Sequence, residues 1–261
     1  MRLSQGQLNL LQRCPRQFQH TYLEQISSPG NPEQQERQTW GSRFHLLMQQ
    51  RELGLPIASL VQEDMQLQCW MNAFASAAPE ILTPDTNSQF RESEHCRTLQ
   101  VQDYLLTVIY DLLIADDHSA QILDWKTYPK PQNRRWVEQN WQTLLYPYVL
   151  AETSDYLPEQ ISMTYWFVQS EQPQSLKFSY NNTQHQKTKE KLHKLLNQLT
   201  YWLQRYEQGH PFPQVAAGNK LCDSCQFITR CDRDNNSDLF QDSAATSTDI
   251  LNIATIQEVA I

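Results

Sequence analysis

The chain has 261 residues, enough to bury a sizeable core, with a mean hydropathy of -0.64 and no apolar run near the roughly 18 residues a membrane span needs. Its opening Met-Arg-Leu-Ser-Gln-Gly-Gln-Leu lacks the apolar stretch and small-residue cleavage site of a secretory leader, so a cytoplasmic location with no membrane partner is expected. The net charge of -8 does not exclude a nucleic-acid partner: from Cys231 onward six acids stand against Arg233, a local -5 that leaves -3 for the rest, and a near-neutral body can still present a basic groove.

The first segment reads as a helix, with Leu8, Leu11, Phe18 and Tyr22 at helical spacing and a break near Cys14 imposed by Pro15. A turn-rich Ser-Ser-Pro-Gly-Asn-Pro run follows at 27–32. Helices are expected over about 33–53, which carries Gly41 and His45, and over about 60–77. The pattern then changes to alternation at 98–102, at 104–114 and, after an Asp-Asp-His-Ser turn, at 121–126, which predicts a three-strand meander. A helix is expected at 133–153, then strands near 161–169 and 175–180 around a Glu-Gln-Pro-Gln hairpin. A long amphipathic helix at 183–207 places Leu192, Leu195, Leu196, Leu199, Leu203 and Tyr206 on one face. This order predicts an α/β or α+β core with a mixed sheet. Residues 1–235 read as the folded domain, and the acidic, Ser/Thr/Asp/Asn-rich 236–261 as a disordered tail.

The strongest chemical signal is Asp111 on one strand and Asp124-Trp125-Lys126 on the next. Ionised carboxylates are costly inside a buried strand unless something positive compensates them. Residues two apart share a strand face, so Asp124 and Lys126 point together, and Asp111 can lie beside them across the pairing. Two converging carboxylates suit Mg²⁺ or Mn²⁺, and a neighbouring lysine can orient water and neutralise charge on phosphorus. A structural Asp–Lys pair at a strand end would give the same spacing. Glu92 and Glu94, just upstream, offer one supporting acid or a surface role.

In order along the chain stand Gly41-x-x-x-His45, Asp111, Asp124-Trp125-Lys126-Thr127 and Gln142-x-x-x-Tyr146. Together they resemble the RecB-like branch of the PD-(D/E)xK nucleases, which includes the nuclease domains of RecB and AddB and the CRISPR-associated RecB-like exonucleases. The resemblance implies a restriction-endonuclease-like α/β core, its central mixed sheet flanked by helices. It further implies that His45, Asp111, Asp124 and the main-chain carbonyl of Trp125 bind metal, that Lys126 is the catalytic lysine, and that Gln142 and Tyr146 hold the DNA strand. Val108 stands where the family usually has glycine, and Tyr110 replaces a small aliphatic residue. In the basic, aromatic segment at 126–136, Lys130, Arg134 and Arg135 are candidates for phosphate contacts, and Tyr128 and Trp136 for stacking on bases.

Cys222, Cys225 and Cys231 form a Cys-x2-Cys-x5-Cys group, and Cys14, next to Pro15, is the natural fourth ligand. The spacing alone fits structural Zn²⁺ as well as iron–sulfur. The resemblance favours a [4Fe–4S] cluster, since AddB-like and CRISPR-associated members place one cysteine before the nuclease core and three after it. Such a lobe would join the N-terminal helix to the C-terminal segment. Cys69 and Cys96 are expected to be apolar packing residues. The function implied is metal-dependent hydrolysis of DNA ends or single strands in repair, recombination or defence, with a helicase or other repair or defence protein as a possible partner. The rival readings are a catalytically weak DNA-binding or assembly subunit and a zinc-containing regulator.

Overall fold

The strand-rich centre of the chain is the scaffold on which everything else is placed. The structure is a computed structural model describing residues 1–26, 32–62, 64–82, 90–169 and 172–233. The expected turn at 27–32, apart from its last residue, and the expected tail at 236–261 lie outside the described residues. Those described fall into two units, one of residues 1–5 and 32–194, the other of 6–26 and 195–233.

In the first unit the sheet grows around one long hairpin. β2 (Phe90–Val101) and β3 (Tyr104–Ala115) pair antiparallel over almost their full length. Gln102, at the tight turn between them, takes φ 54, the positive setting that two-residue hairpins ask of their first turn residue. Asp116 then closes the next turn by accepting from the amides of His118 and Ser119 at 2.7 Å each, and the chain returns as β4 (Ala120–Lys126). The expected meander is therefore present, although β2 begins well before residue 98. β4 pairs parallel with β5 (Ile161–Phe167), and β5 pairs antiparallel with β6 (Gln174–Ser179). A two-residue strand unforeseen in the sequence, β1 (Arg2–Leu3), pairs parallel with β3 at Leu105 and Leu106. The result is a mixed sheet of six strands.

Helices cover both faces. α3 (Pro32–Glu52), α5 (Met65–Ala77) and α6 (Pro79–Leu82) bury Phe44, Leu47, Trp70, Met71 and Phe74 against Leu112, Leu123, Trp125 and Trp166 of the sheet. Phe74 meets both Trp125 and Trp166 edge-on at 5.3 Å. Asp124, adjacent to Trp125 and so on the opposite face, meets Gln142 of α8 (Trp141–Glu152).

Two expected helices are each divided. Asp64 accepts from the amides of Gln66 and Leu67, capping α5 and separating it from α4 (Ala58–Gln62). Asn140 does the same for Gln142, dividing α7 (Arg134–Gln139) from α8. A capping side chain satisfies the amides of a new helix start, which hydrophobic spacing does not register. α9 (Asn182–Glu207) spans nearly the bounds expected for it.

The second unit holds α1 (Gln5–Arg13) from Gly6 on, α2 (Pro15–Phe18), a π-helical turn at Gln19–Leu23 and the chain from residue 195 onward. Cys14 is extended, at φ -155, so the break expected at Pro15 is present. Phe212 anchors this unit: it stacks on Phe18 at 6.3 Å and meets Trp202 and Tyr206 at 5.8 and 6.0 Å. Its amide donates to Gln19 Oε1 and its carbonyl accepts from Arg16 Nε, at 2.6 and 2.7 Å.

Candidate active site

The site lies where β3 and β4 stop pairing. Leu112 opposite Leu123 is the last ladder pair on that side. One step further, the freed amide of Trp125 donates to Asp111 Oδ2 at 2.6 Å, so Asp111 replaces a backbone partner and is fixed by doing so. Asp111 Oδ1 stands 3.3 Å from His45 Nδ1, and His45 Nε2 lies 3.1 Å from the Trp125 carbonyl.

His45 reaches this point because α3 passes close to the end of β4. A methyl group on Gly41, one helical turn before His45, would stand 3.1 Å from Thr127 Oγ1. Glycine there is a close-approach residue, which gives the Gly-x-x-x-His spacing a physical reason. The far end of α3 is tied to β2 by Arg91, which clamps Glu52 through Nε and Nη2 at 2.6 and 2.8 Å and also donates to the Ile81 carbonyl.

Glu94 is the third donor. It faces Asp111 across the β2–β3 ladder, which is interrupted there, and its φ of 51 turns the backbone out of the strand. Donor atoms of His45, Glu94 and Asp111 all lie within 4.8 Å of one another. Glu92, the other upstream acid, is exposed and binds His95 Nδ1 at 2.8 Å instead. The pair was visible as two acids before the strands, but alternation could not say which one turns inward, because that depends on a left-handed backbone setting.

Asp124 and Lys126 form the buried half of the site, 2 % and 4 % exposed, with Oδ1 and Nζ 2.8 Å apart. Gln142 donates to Asp124 Oδ2 at 2.6 Å, and Lys126 Nζ lies 5.4 Å from the centre of the Tyr165 ring. Gln142 and Tyr146 were expected to hold a DNA strand, yet they are only 5 % and 3 % exposed. Gln142 meets Asp124 from below the surface through that hydrogen bond, and both side chains are buried. Tyr110, a departure from the family pattern, fills this layer by donating from its hydroxyl to the Tyr146 carbonyl at 3.0 Å.

Burial and crowded negative charge favour bound protons at this site. Desolvation works against a charged His45, but the charge and hydrogen bond of Asp111, together with the charge of Asp124, push the imidazole up to about 9. Desolvation, then the charge of Asp111, pushes Glu94 up to about 7. Burial also raises Asp124, and Lys126 draws it back only in part. Lys126 itself stays charged, because Asp124 overcomes the desolvation that would neutralise it. A cluster of carboxylates plus one imidazole, with a backbone carbonyl adjacent, is a hard donor set suited to a divalent cation, which would take the place of those protons.

Of the basic and aromatic residues after β4, Arg134 donates to the Lys177 carbonyl at 2.7 Å and lies 4.5 Å over the Phe178 ring. Lys130 donates to the Ser175 carbonyl at 3.1 Å, and Tyr128 packs edge-on against Phe167. Arg135 and Trp136 are exposed.

In the second unit Cys14, Cys222, Cys225 and Cys231 line one pocket. Two 3₁₀ turns, Lys220–Cys222 and Thr229–Cys231, carry Cys222 and Cys231, with Cys225 between them, and Asn219 caps the first turn by accepting from the Leu221 amide at 3.0 Å. None of the four is in a disulfide, and burial pushes the thiols of Cys225 and Cys231 up. Four cysteines around one pocket fit a tetrathiolate metal centre, and this donor set takes either zinc or an iron–sulfur cluster. Cys69 and Cys96, expected to be packed, are exposed instead. On α5 the inward face is taken by Leu67, Trp70, Met71 and Phe74, which leaves Cys69 outside.

The chain resembles known proteins over most of its length. The model of the PD-(D/E)XK nuclease superfamily matches residues 2–232. The fold is similar to that of a "putative exonuclease" from Eubacterium rectale, at TM-score 0.52 and 10% identity, over 93% of this chain and 90% of that one. A second solved structure, SSO0001, aligns at TM-score 0.43 and 13% identity over 88% of this chain and 85% of that one. A search of curated proteins finds no match. Among the described residues no helix is long and apolar enough to cross a membrane.

Proposed function

Because the chain belongs to the PD-(D/E)XK nuclease superfamily, we propose that it is a metal-dependent deoxyribonuclease of the RecB-like branch, hydrolysing phosphodiester bonds at DNA ends or in single strands. The observation that carries this reading is the convergence of His45, Glu94 and Asp111 beside the buried Asp124–Lys126 pair.

His45, Glu94 and Asp111 would hold Mg²⁺ or Mn²⁺, with Asp124 and the Trp125 carbonyl at the edge of the same site. When bound, the cation would supply Lewis-acid polarisation of the scissile phosphate and a water of lowered pKa. The residues supply order and charge. Asp111 is pinned by the Trp125 amide and Asp124 by the Gln142 amide, so neither carboxylate has to reorganise when substrate arrives. Lys126, kept cationic by Asp124, offers its ammonium to the attacking water or to the charge that builds on the phosphate oxygens. Arg135 and Trp136, exposed just beyond the end of β4, are suited to contacting the strand.

The four-cysteine pocket is read as a [4Fe–4S] site with a structural role, supported by the shared pocket and the placement of one cysteine before and three after the core. Structural Zn²⁺ is the rival occupant.

The test is cleavage of labelled single- and double-stranded DNA with Mg²⁺ or Mn²⁺, with and without chelator, by the wild type, Asp124→Asn and Lys126→Ala. Each variant is expected to lose about 10³-fold in rate while keeping its circular dichroism. Cutting that survives both substitutions sinks the assignment.

A further inference from the structure

A buried polar relay runs from the π-helical turn into the cysteine pocket, and the roles above leave it unused. His20 is 3 % exposed. Its Nδ1 lies 2.7 Å from Glu24 Oε2, and its Nε2 faces Cys231 Sγ at 3.7 Å. The ring packs against Phe227, in the cysteine loop, with centroids 5.0 Å apart. Glu24 is held in turn: Gln19 donates to its other oxygen at 2.5 Å, and Arg230 Nε approaches at 3.7 Å. Gln19 is 2 % exposed and accepts the Phe212 amide, so the relay is tied to the anchor of the unit.

A histidine present only to fill space needs neither a carboxylate on one nitrogen nor a sulfur on the other. Metal-ligating groups, by contrast, are regularly oriented and tuned by outer hydrogen bonds, and such partners change metal affinity by about 10- to 100-fold when removed. A hydrogen bond to a ligating thiolate draws charge from the sulfur, which stabilises the more negative state of an iron–sulfur centre and holds the ligand in place.

We propose that His20 is a positioning residue for the metal group at the four cysteines: its ring, oriented by Glu24, donates from Nε2 to the Cys231 thiolate. This rests on the reading of that pocket as a metal centre and takes no position on which metal fills it.

The test compares the full-length wild type, His20→Phe and His20→Gln, purified without oxygen. Metal content is measured first, then the rate of metal loss to a chelator and, where iron is present, the reduction midpoint from the visible spectrum. Glutamine places an amide nitrogen near the position of Nε2, so it restores the donor without the ring. His20→Phe is expected to lose metal about tenfold faster or more and, with iron, to show a midpoint at more negative potential. His20→Gln should recover most of both.

Wild-type rates in both variants would overturn the proposal. So would a defect in His20→Gln as large as that in His20→Phe, since restoring the donor would then restore nothing. The release rate reads out with zinc as well as with iron. A colourless, zinc-loaded wild type therefore removes the iron–sulfur reading without removing this test. A wild type that carries no metal removes both.

Discussion

The two sites of this protein are built on opposite principles. The carboxylate site draws its groups from α3, β2, β3, β4 and α8, and each is fixed by something other than a metal: Asp111 by a backbone amide, Asp124 by Gln142 and Lys126, α3 by Arg91. The cysteine site draws three of its four groups from residues 222–231, whose regular structure amounts to two short 3₁₀ turns. A site assembled by a sheet can exist before its ion and wait for it. A site assembled by a loop depends on its metal for much of its order, because binding energy there is folding energy.

The largest effect that could break this comparison is therefore on stability. Cys225→Ser removes one thiolate from a centre whose formation contributes on the order of 10 kcal/mol to folding in small metal-dependent domains. Hydrogen exchange should open across 6–26 and 208–233 in that variant, while peptides from β2 to β4 keep their protection. Removal of Mg²⁺ or Mn²⁺ from the wild type should change neither region. Equal loss of protection in β3 and β4 on removing the divalent cation would contradict the distinction.

The next effect follows from the protons at the carboxylate site. His45, raised from 6.5 to about 9, and Glu94, raised from 4.5 to about 7, both bind protons more tightly folded than unfolded. Their contribution to the stability of the metal-free protein is present in full at low pH and lost as pH rises through those folded values. A cation must displace the same protons. Its affinity should therefore rise about tenfold per pH unit between about pH 7 and 9, where His45 gives up one proton, and more steeply below 7, where Glu94 gives up another. Calorimetry in buffers of different ionisation enthalpy counts the protons released. Binding with no proton release would mean that His45 is not a ligand.

How much of this was legible in the sequence follows the same division. Asp124 and Lys126 could be paired from a spacing of two on a strand, and Asp111 could be placed next to them, because strand geometry is local and regular. Glu94 could not be separated from Glu92, since the choice depends on one residue at φ 51. The role of Gln142 was also out of reach. Helical spacing put it on one face with Tyr146 but could not show that this face turns to Asp124 and not to solvent. β1 was invisible because two residues carry no periodicity, and the paired helices were merged because a cap interrupts a helix without interrupting its apolar stripe. Three cysteines, Cys222, Cys225 and Cys231, could be grouped by spacing, and Cys14 joined them only as the natural fourth ligand. His20 had no signal of its own: Glu24 is one helical turn away, but Cys231 stands far off in sequence, so spacing could not join the three.

Gln142 offers a smaller and sharper test. Its amide is the hydrogen bond that fixes Asp124 Oδ2, and the side chain is buried. Gln142→Leu keeps the volume and removes the donor. It should lower kcat by about 10- to 100-fold, the usual cost of losing an outer partner of a ligating or catalytic carboxylate, with KM for DNA little changed. A rise in KM at constant kcat would return Gln142 to the strand-holding role first expected of it.

The smallest effect concerns Gly41, and there magnitudes decide the sign. Alanine in a helix interior gains about 0.5–1 kcal/mol over glycine. Its new methyl group, however, would stand 3.1 Å from Thr127 Oγ1, which then has to leave its rotamer at a cost of about 0.5–1.5 kcal/mol. The two nearly cancel, so Gly41→Ala should leave the melting temperature within a few degrees of the wild type. Activity should respond more than stability, by a few-fold, because Thr127 follows Lys126 directly and any shift is passed to the catalytic strand. Thr127→Ala removes the obstructing oxygen, so the double variant should recover the rate that Gly41→Ala loses. If the two losses simply add, the glycine acts through something other than this contact, and the close approach of α3 to the end of β4 is not what places His45.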